Sequence, residues 1–424
     1  MNKVLKIFST AVIILFVLSV FGWMVDQISN KNKSFGILTE PIKFMYSFPD
    51  LFNESVEEVK TLPRTYIHTP TKFKSVNKLK KDLIVLITHS DEGDKRTVKL
   101  LNLRNDSIFR EWTLDNPWDE VARIVNTIYL ENGSLIYNYY YKGRPGLVRL
   151  DSVGNTLWKN DSLVIHHGMN LGSDGHIWTC SVLRGAASGF YTRDGKKNFY
   201  DDNRITKFDV SSGEILFDKS VTEILVENNL SNYILKSSAL DDPLHLNDIK
   251  PALKTTDSFN EDDLFISLRN ISCVIHYRPS SNELIQIIEG PFINQHDVDF
   301  LNDSTLTIFN NNTYVDKSRP PQEPHNLDWR LKDAGSFYSN IVSYDLKNDV
   351  FEFIGQNVFQ RNTIFTLNEG LAEPLAPDTF FIEEQNSGKL WVISGEEVIY
   401  KNVLNSQHEG YHHLPNWTRI VSYR

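Results

Sequence analysis

Six times between residues 97 and 403 the chain writes an apolar strand, a tight polar turn and a second strand, and this recurrence restricts the fold more than any other feature. The copies cover 97–112, 146–159, 204–218, 272–288, 340–354 and 388–403. Their turns centre near Asn105, Gly154, Gly213, Asn282, Asn348 and Gly395, at steps of 49, 59, 69, 66 and 47 residues. A further pair of apolar runs precedes these hairpins, as around Glu131-Asn132-Gly133 and Asn302-Asp303-Ser304. A lone hairpin cannot bury its apolar face, whereas two hairpins make a four-stranded blade that stacks radially and leaves only short edges. The expected fold is all-β: a six-bladed β-propeller over residues 79–424, in which 417–423 alternates like a strand and closes the ring by joining a blade begun upstream. A large irregular β-sandwich is the competing arrangement, because the steps are uneven.

Ahead of the repeats, Lys3 and Lys6 precede an uncharged apolar run from Ile7 to Val25, close to the roughly 20 residues a membrane-spanning helix needs. No small-x-small cleavage site follows, and Trp23 sits like an interfacial anchor before Asp26. Residues 1–25 therefore read as a signal anchor with its N-terminus inside, which puts the rest of the chain on the periplasmic or extracytoplasmic side; a cleaved secretory signal would export the same domain. Residues 26–78, broken by Pro41, Pro49 and Pro63 and with a short helix expected at 51–60, read as a juxtamembrane spacer. The net charge of −10 argues against nucleic acid as a partner. Cys180 and Cys273 lack the spacing of a zinc or C-x-x-C site, and a disulfide between them is an open option.

In a propeller the first strand of each blade runs along the central channel, so position in the repeat becomes position in space. His167 and His296 each stand six residues before a turn, and His245 opens the intervening repeat in the same way. Three successive blades thus aim an imidazole at one axial mouth. The corresponding positions near Asn126 and Leu371 carry no titratable group. Arg269, in the apolar run Ile266-Ser267-Leu268-Arg269-Asn270, supplies a cation that calls for an anion. Three histidines are also a common zinc set with one open position, but a neighbouring arginine would repel the metal, so no metal or other cofactor is assigned. His166 should face away from its neighbour in a regular strand, and a bulge would exchange the two. His176, His276, His412 and His413 share no such register and read as surface or core residues.

The segments His166-His167-Gly168-Met169-Asn170, Asp242-Pro243-Leu244-His245-Leu246-Asn247, Ser267-Leu268-Arg269-Asn270 and Gln295-His296-Asp297, with Gly370-Leu371-Ala372-Glu373-Pro374-Leu375 in the last repeat, resemble the signature stretches of bacterial arylsulfotransferases over roughly residues 80 to 424. The resemblance implies a six-bladed envelope enzyme that moves a sulfuryl group from an aryl sulfate to a phenol through a sulfohistidine, without a nucleotide sulfate donor. It implies His296 as nucleophile, with His245, Asn247, Arg269 and His167 around the sulfuryl group; on the chemistry of the residues, His167 is the expected proton donor to the departing phenolate. Two departures stand out: 26–78 is short for the N-terminal β-sandwich of well-studied members, and a cysteine pair before the nucleophile is missing. An unperturbed imidazole, with a pKa near 6.5, suits a two-step relay at neutral pH. An envelope-anchored propeller that only binds a ligand, and a metal-assisted hydrolase, are the alternatives.

Overall fold

The computed structural model describes residues 2–29, 34–45, 65–91, 95–115, 126–141, 144–185, 188–193, 195–237, 239–313 and 338–424. The chain divides into two compact units, Met1–Pro63 and Arg64–Arg424. In the first, Asn2–Ser29 forms one α-helix. Its stretch Phe8–Ile28, 21 residues, is long and apolar enough to cross a membrane. The helix expected at 51–60 lies outside the described residues.

The second unit is a β-propeller. Five of its sheets are plain four-stranded antiparallel blades, and a sixth four-stranded run is enlarged to a seven-stranded sheet. In chain order the innermost strands are Thr127–Tyr129 (blade 2), Val164–Leu171 (blade 3), Leu246–Pro251 (blade 4), Asp297–Asn302 (blade 5) and Leu371–Ala376 (blade 6). Blade 1 takes its innermost strand from the far end of the chain, since Arg419–Tyr423 pairs antiparallel with Leu83–Ser90. Ring closure by residues 417–423 is therefore as the alternation implies. The enlargement of blade 6 comes from Tyr411–His413, Tyr66–His68 and Val76–Asn77. Strands at 66–68 and 76–77 thus belong to the propeller, so the stretch expected as spacer up to residue 78 gives up its end to the sheet.

Both faces of each blade are covered by neighbours, and six apolar clusters fill the six seams. Leu86, Val98, Leu135 and Val148 join blades 1 and 2; Ile136, Ile165, Met169 and Ile177 join 2 and 3; Cys180, Ile205, Leu246 and Leu264 join 3 and 4. Phe265, Val274, Val298 and Leu306 join 4 and 5; Phe309, Ile341, Phe380 and Trp391 join 5 and 6; Leu83, Val85, Leu371 and Phe381 return from 6 to 1. Alternation explains why the strands are apolar throughout. In Leu83–Ser90, Leu83, Val85 and Ile87 face blade 6 while Leu86 faces blade 2. Cys180 and Cys273 are free thiols inside the seam between blades 3 and 4, which answers the disulfide question.

Candidate functional site

Each blade has a residue in left-handed backbone shortly before its channel strand or, in blade 3, at the bulge inside it: Asn126 (φ 67°), His167 (54°), His245 (50°), Asn294 (53°), Gly370 (110°) and Trp417 (49°). Only glycine adopts this conformation without strain, and the others each cost about 1–3 kcal/mol unless packing imposes them. Left-handed backbone is what turns these side chains into the mouth of the ring. The slots are not identical, contrary to the equal spacing in the sequence. His167 and His245 are themselves the left-handed residues, whereas His296 follows Asn294 by two and starts the regular ladder, its N–H donating to the Phe309 carbonyl at 2.9 Å.

The three imidazoles meet. His167 Nε2 lies 3.2 Å from His245 Nε2, and the His167 and His296 rings stand edge to face with centroids 5.3 Å apart. A bulge does interrupt the strand between Ile165 and Met169, and it is His167 that reaches its two partners, with the His166 ring 4.8 Å behind it. Asp242 bonds Nδ1 of His245 through a short contact. Trp417 covers the other side, 5.0 Å from His296 and 6.4 Å from His167 between ring centroids. Its segment is fixed by the buried carboxylate of Glu383, which accepts from the backbone N–H of Trp417 and of Thr418 at 2.9 Å each. Sequence reasoning missed Asp242, Glu383 and Trp417.

Arg269 does not lie in a strand as the apolar run suggested. The strand ends at Leu268, and Arg269 opens a 3-10 turn whose N–H groups from Arg269 and Asn270 donate to His245 and Leu244. The turn swings the guanidinium to the mouth. It is 5% exposed. Among the described residues its only hydrogen bond is Nε to Asn270 Oδ1 at 3.2 Å, and no carboxylate forms an ion pair with it. Asn247 donates its amide to the Gln295 carbonyl at 3.1 Å and so braces the peptide before His296, while its Oδ1 is buried with no hydrogen-bond partner among the described residues.

The polar residues around His296 tie it to both neighbouring blades. Gln295 donates to Ser267, Leu268 and Cys273 of blade 4, and Asp297 accepts from the Ala372 N–H of blade 6 at 3.2 Å. Neither Asp297 nor Asp299 touches the ring, because Asp299 is paired with Lys250. Both ring nitrogens of His296 are buried without a hydrogen-bond partner among the described residues. Gly168 serves a matching purpose beside His167: a Cβ there would stand 2.9 Å from Asp248 Cα and 3.1 Å from the Asn247 carbonyl, so only glycine lets blade 3 approach blade 4 this closely.

Electrostatics follow from this burial. Desolvation, then the Arg269 and His245 charges, push His296 down to about 3 from 6.5, opposed only by the nearby Gly370 backbone. Burial and the surrounding imidazoles hold His167 well below its ordinary value, and His166 falls to about 3 for similar reasons. Between pH 3 and 6.5 the unfolded chain therefore binds more protons at His166 and His296, and their contribution to stability is lost as pH falls through that window. Arg269 is lowered by burial, with Asp242 and Glu369 opposing. Deeper in the channel, Asp297 is pushed up by burial and by Asp299 and Asp248.

A family model for arylsulfotransferases (ASST) matches residues 128–400, the span that holds His167, His245, Asn247, Arg269 and His296. The chain belongs to the arylsulfotransferase family. A comparison with curated proteins finds no match. Among solved structures, this arylsulfotransferase-family chain is similar to a protein of unknown function from Bacteroides caccae (12% identity, 78% of this chain and 97% of that one, TM-score 0.48). It is also similar to virginiamycin B lyase from Staphylococcus aureus (10% identity, 81% and 89%, TM-score 0.38), and to hydrazine synthase from Kuenenia stuttgartiensis (12% identity, 73% and 76%, TM-score 0.40).

If the close approach at Gly168 positions His167, then Gly168→Ala should destabilise the propeller by about 1–3 kcal/mol, seen as a lower urea midpoint at unchanged slope. A midpoint equal to wild type would show that the two blades have slack there.

Proposed function

We propose that the chain is an arylsulfate sulfotransferase in which His296 carries the sulfuryl group. The observation that supports this reading most is a buried, neutral imidazole with no hydrogen-bond partner among the described residues, placed under the field of a buried guanidinium on which Asp242 and Glu369 act without an ion pair among those residues. A buried cation calls for an anion, and a sulfate monoester brings a single negative charge.

In the first step a ring nitrogen of His296 uses its lone pair to form a bond to sulfur while the bond from sulfur to the aryl oxygen breaks. No separate base is needed, since burial keeps the ring neutral. By analogy with phosphoryl transfer the migrating group is loose and its charge sits on three oxygens, so Arg269 acts by fixed electrostatic contact. The departing phenolate takes a proton from His245, whose Nδ1 is backed by Asp242. His167, with its pKa held low, is a poor acid, and its contact with Nε2 of His245 makes it a relay. In the second step an acceptor phenol returns its proton to the His245–Asp242 pair, its oxygen attacks sulfur, and the bond from nitrogen to sulfur breaks. Trp417 supplies an aromatic wall for the aryl rings. The N-terminal helix would hold the enzyme at the membrane with Lys3 and Lys6 inside and the propeller in the periplasm. Protease added to intact spheroplasts should then degrade the propeller; protection would reverse the orientation.

Incubation with a chromogenic aryl sulfate and no acceptor should add the mass of one SO3 group to the peptide holding His296, and a phenol should remove it. His296→Ala should lose both adduct and turnover, and Arg269→Ala should slow turnover by about 10²–10³-fold. Undiminished turnover in the His296 variant would reject the covalent route, and absence of turnover with every aryl sulfate would favour a binding module.

Asp242→Asn should lower turnover by about 10²-fold, with a larger loss for donors whose phenols are weakly acidic than for nitrophenyl donors. An equal loss for all donors would take the His245–Asp242 pair out of proton transfer.

A further inference from the structure

At the seam between blades 6 and 1, where His89 bridges to Pro415 two residues before Trp417, lies a second set of imidazoles. His89 stands near the end of the strand Leu83–Ser90 in blade 1, and His413 ends Tyr411–His413, the strand that enlarges blade 6. Their rings face each other with centroids 3.9 Å apart and a 31° tilt. Asp91 points one carboxylate oxygen at both: Oδ1 lies 3.4 Å from His89 Nδ1 and 3.9 Å from His413 Nε2. Its other oxygen is held by the Thr97 hydroxyl, which fixes the carboxylate in that orientation.

Both histidines are 4% exposed, yet His89 Nε2 and His413 Nδ1 have no hydrogen-bond partner among the described residues. These are the nitrogens turned away from Asp91; the donors that face its carboxylate are His89 Nδ1, which also lies 3.5 Å from the Ser90 carbonyl, and His413 Nε2. One donor atom from each of the three residues lies within 4.8 Å of the other two. Tetrahedral zinc, with Zn–N bonds of about 2.0–2.1 Å, places adjacent donors about 3.3–3.5 Å apart. The His89 to Asp91 distance already fits, and the His413 ring must tilt away from His89 by a small rotation. Two imidazoles and one carboxylate suit zinc and similar divalent transition ions, whereas calcium and magnesium prefer oxygen-only sets. Lys99, the nearest cation that bears on His413, is turned to Glu111 at 3.8 Å.

We propose that His89, Asp91 and His413 form a site for a zinc-type divalent ion, completed by water, that clasps the last segment of the chain to the first blade. The clasp joins residues more than three hundred positions apart at the seam where the ring is shut. It is independent of the sulfuryl chemistry.

The test uses the full chain in detergent, stripped with chelator and titrated with zinc by calorimetry and by thermal unfolding. One equivalent should bind and raise the unfolding midpoint, and His413→Gln and Asp91→Asn should each weaken binding by at least about tenfold. The three histidines of the mouth are the obvious rival site, so His296→Ala is titrated alongside and should bind as wild type does. If a clasp variant folds poorly, cobalt spectra of the wild-type protein decide: nitrogen-rich tetrahedral bands that persist in His296→Ala support the clasp. Absence of stoichiometric zinc, or binding lost in His296→Ala and retained in His413→Gln, would overturn it.

Discussion

Everything at the mouth depends on one pairing, the insertion of Arg419–Tyr423 against Leu83–Ser90. Without it blade 1 lacks its channel strand, and the cluster between blades 6 and 1 loses Trp417 and the packing of Ile420. Arg419 makes the closure specific as well as apolar. Its Nε donates to Asn126 and its Nη1 to Asn170, each at 2.8 Å, so one guanidinium from the end of the chain grips blades 2 and 3. Asn170 passes the grip on, donating to Asp248 and the Ile249 carbonyl of blade 4. Hydrogen bonds to a charged partner are worth more than neutral ones, and each is expensive to leave unmade when buried. Closure and the positioning of the histidines are therefore parts of one network.

The same network explains the arrangement of charge. Imidazoles and one guanidinium gather at the mouth, while Asp248, Asp297 and Asp299 lie further along the strands with Lys250 among them. Burial pushes Asp299 and Asp248 up, with Lys250 pulling both back down. The ion pair of Lys250 with Asp299 matches charge inside this layer, which leaves Arg269 as the guanidinium beside the imidazoles.

Much of this was legible in the sequence, for a definite reason. Strand, turn and strand recur because every blade solves the same burial problem, and His167 and His296 fell at the same distance from turns, with His245 opening the repeat between them, because the channel strand has a nearly fixed place in the repeat. Arg269 was found as an ion without a partner but misplaced in a strand, since nothing in Leu268-Arg269-Asn270 announces a 3-10 turn. The bond from Asn247 to the Gln295 carbonyl was hidden for a similar reason: an amide in a strand shows its type but not whether the next blade's carbonyl will meet it. Asp242, three residues before His245, was within reach of local reasoning. Trp417 and Glu383 were not, because their partnership crosses the seam that only closure creates. Left-handed backbone at His167, His245 and Trp417 was invisible for the opposite reason, as only Gly370, Asn126 and Asn294 among the six positions carry residue types that favour it.

The signature stretches that carry the family resemblance acquire a physical meaning that does not reduce to catalysis. In Gln295-His296-Asp297 the outer two residues fasten to blades 4 and 6, and only the middle one faces the mouth. In Leu268-Arg269-Asn270 the arginine faces the mouth while Asn270 holds the Asp242 carbonyl at 2.6 Å, thereby fixing the loop whose Asp242 side chain bonds His245. In His167-Gly168-Met169-Asn170 the glycine permits contact and the asparagine bridges two further blades. Each stretch pairs one group exposed to a ligand with others that lock its blade to the next. An imidazole held this way cannot turn to find its own hydrogen bond, which is why both ring nitrogens of His296 are buried without a hydrogen-bond partner among the described residues.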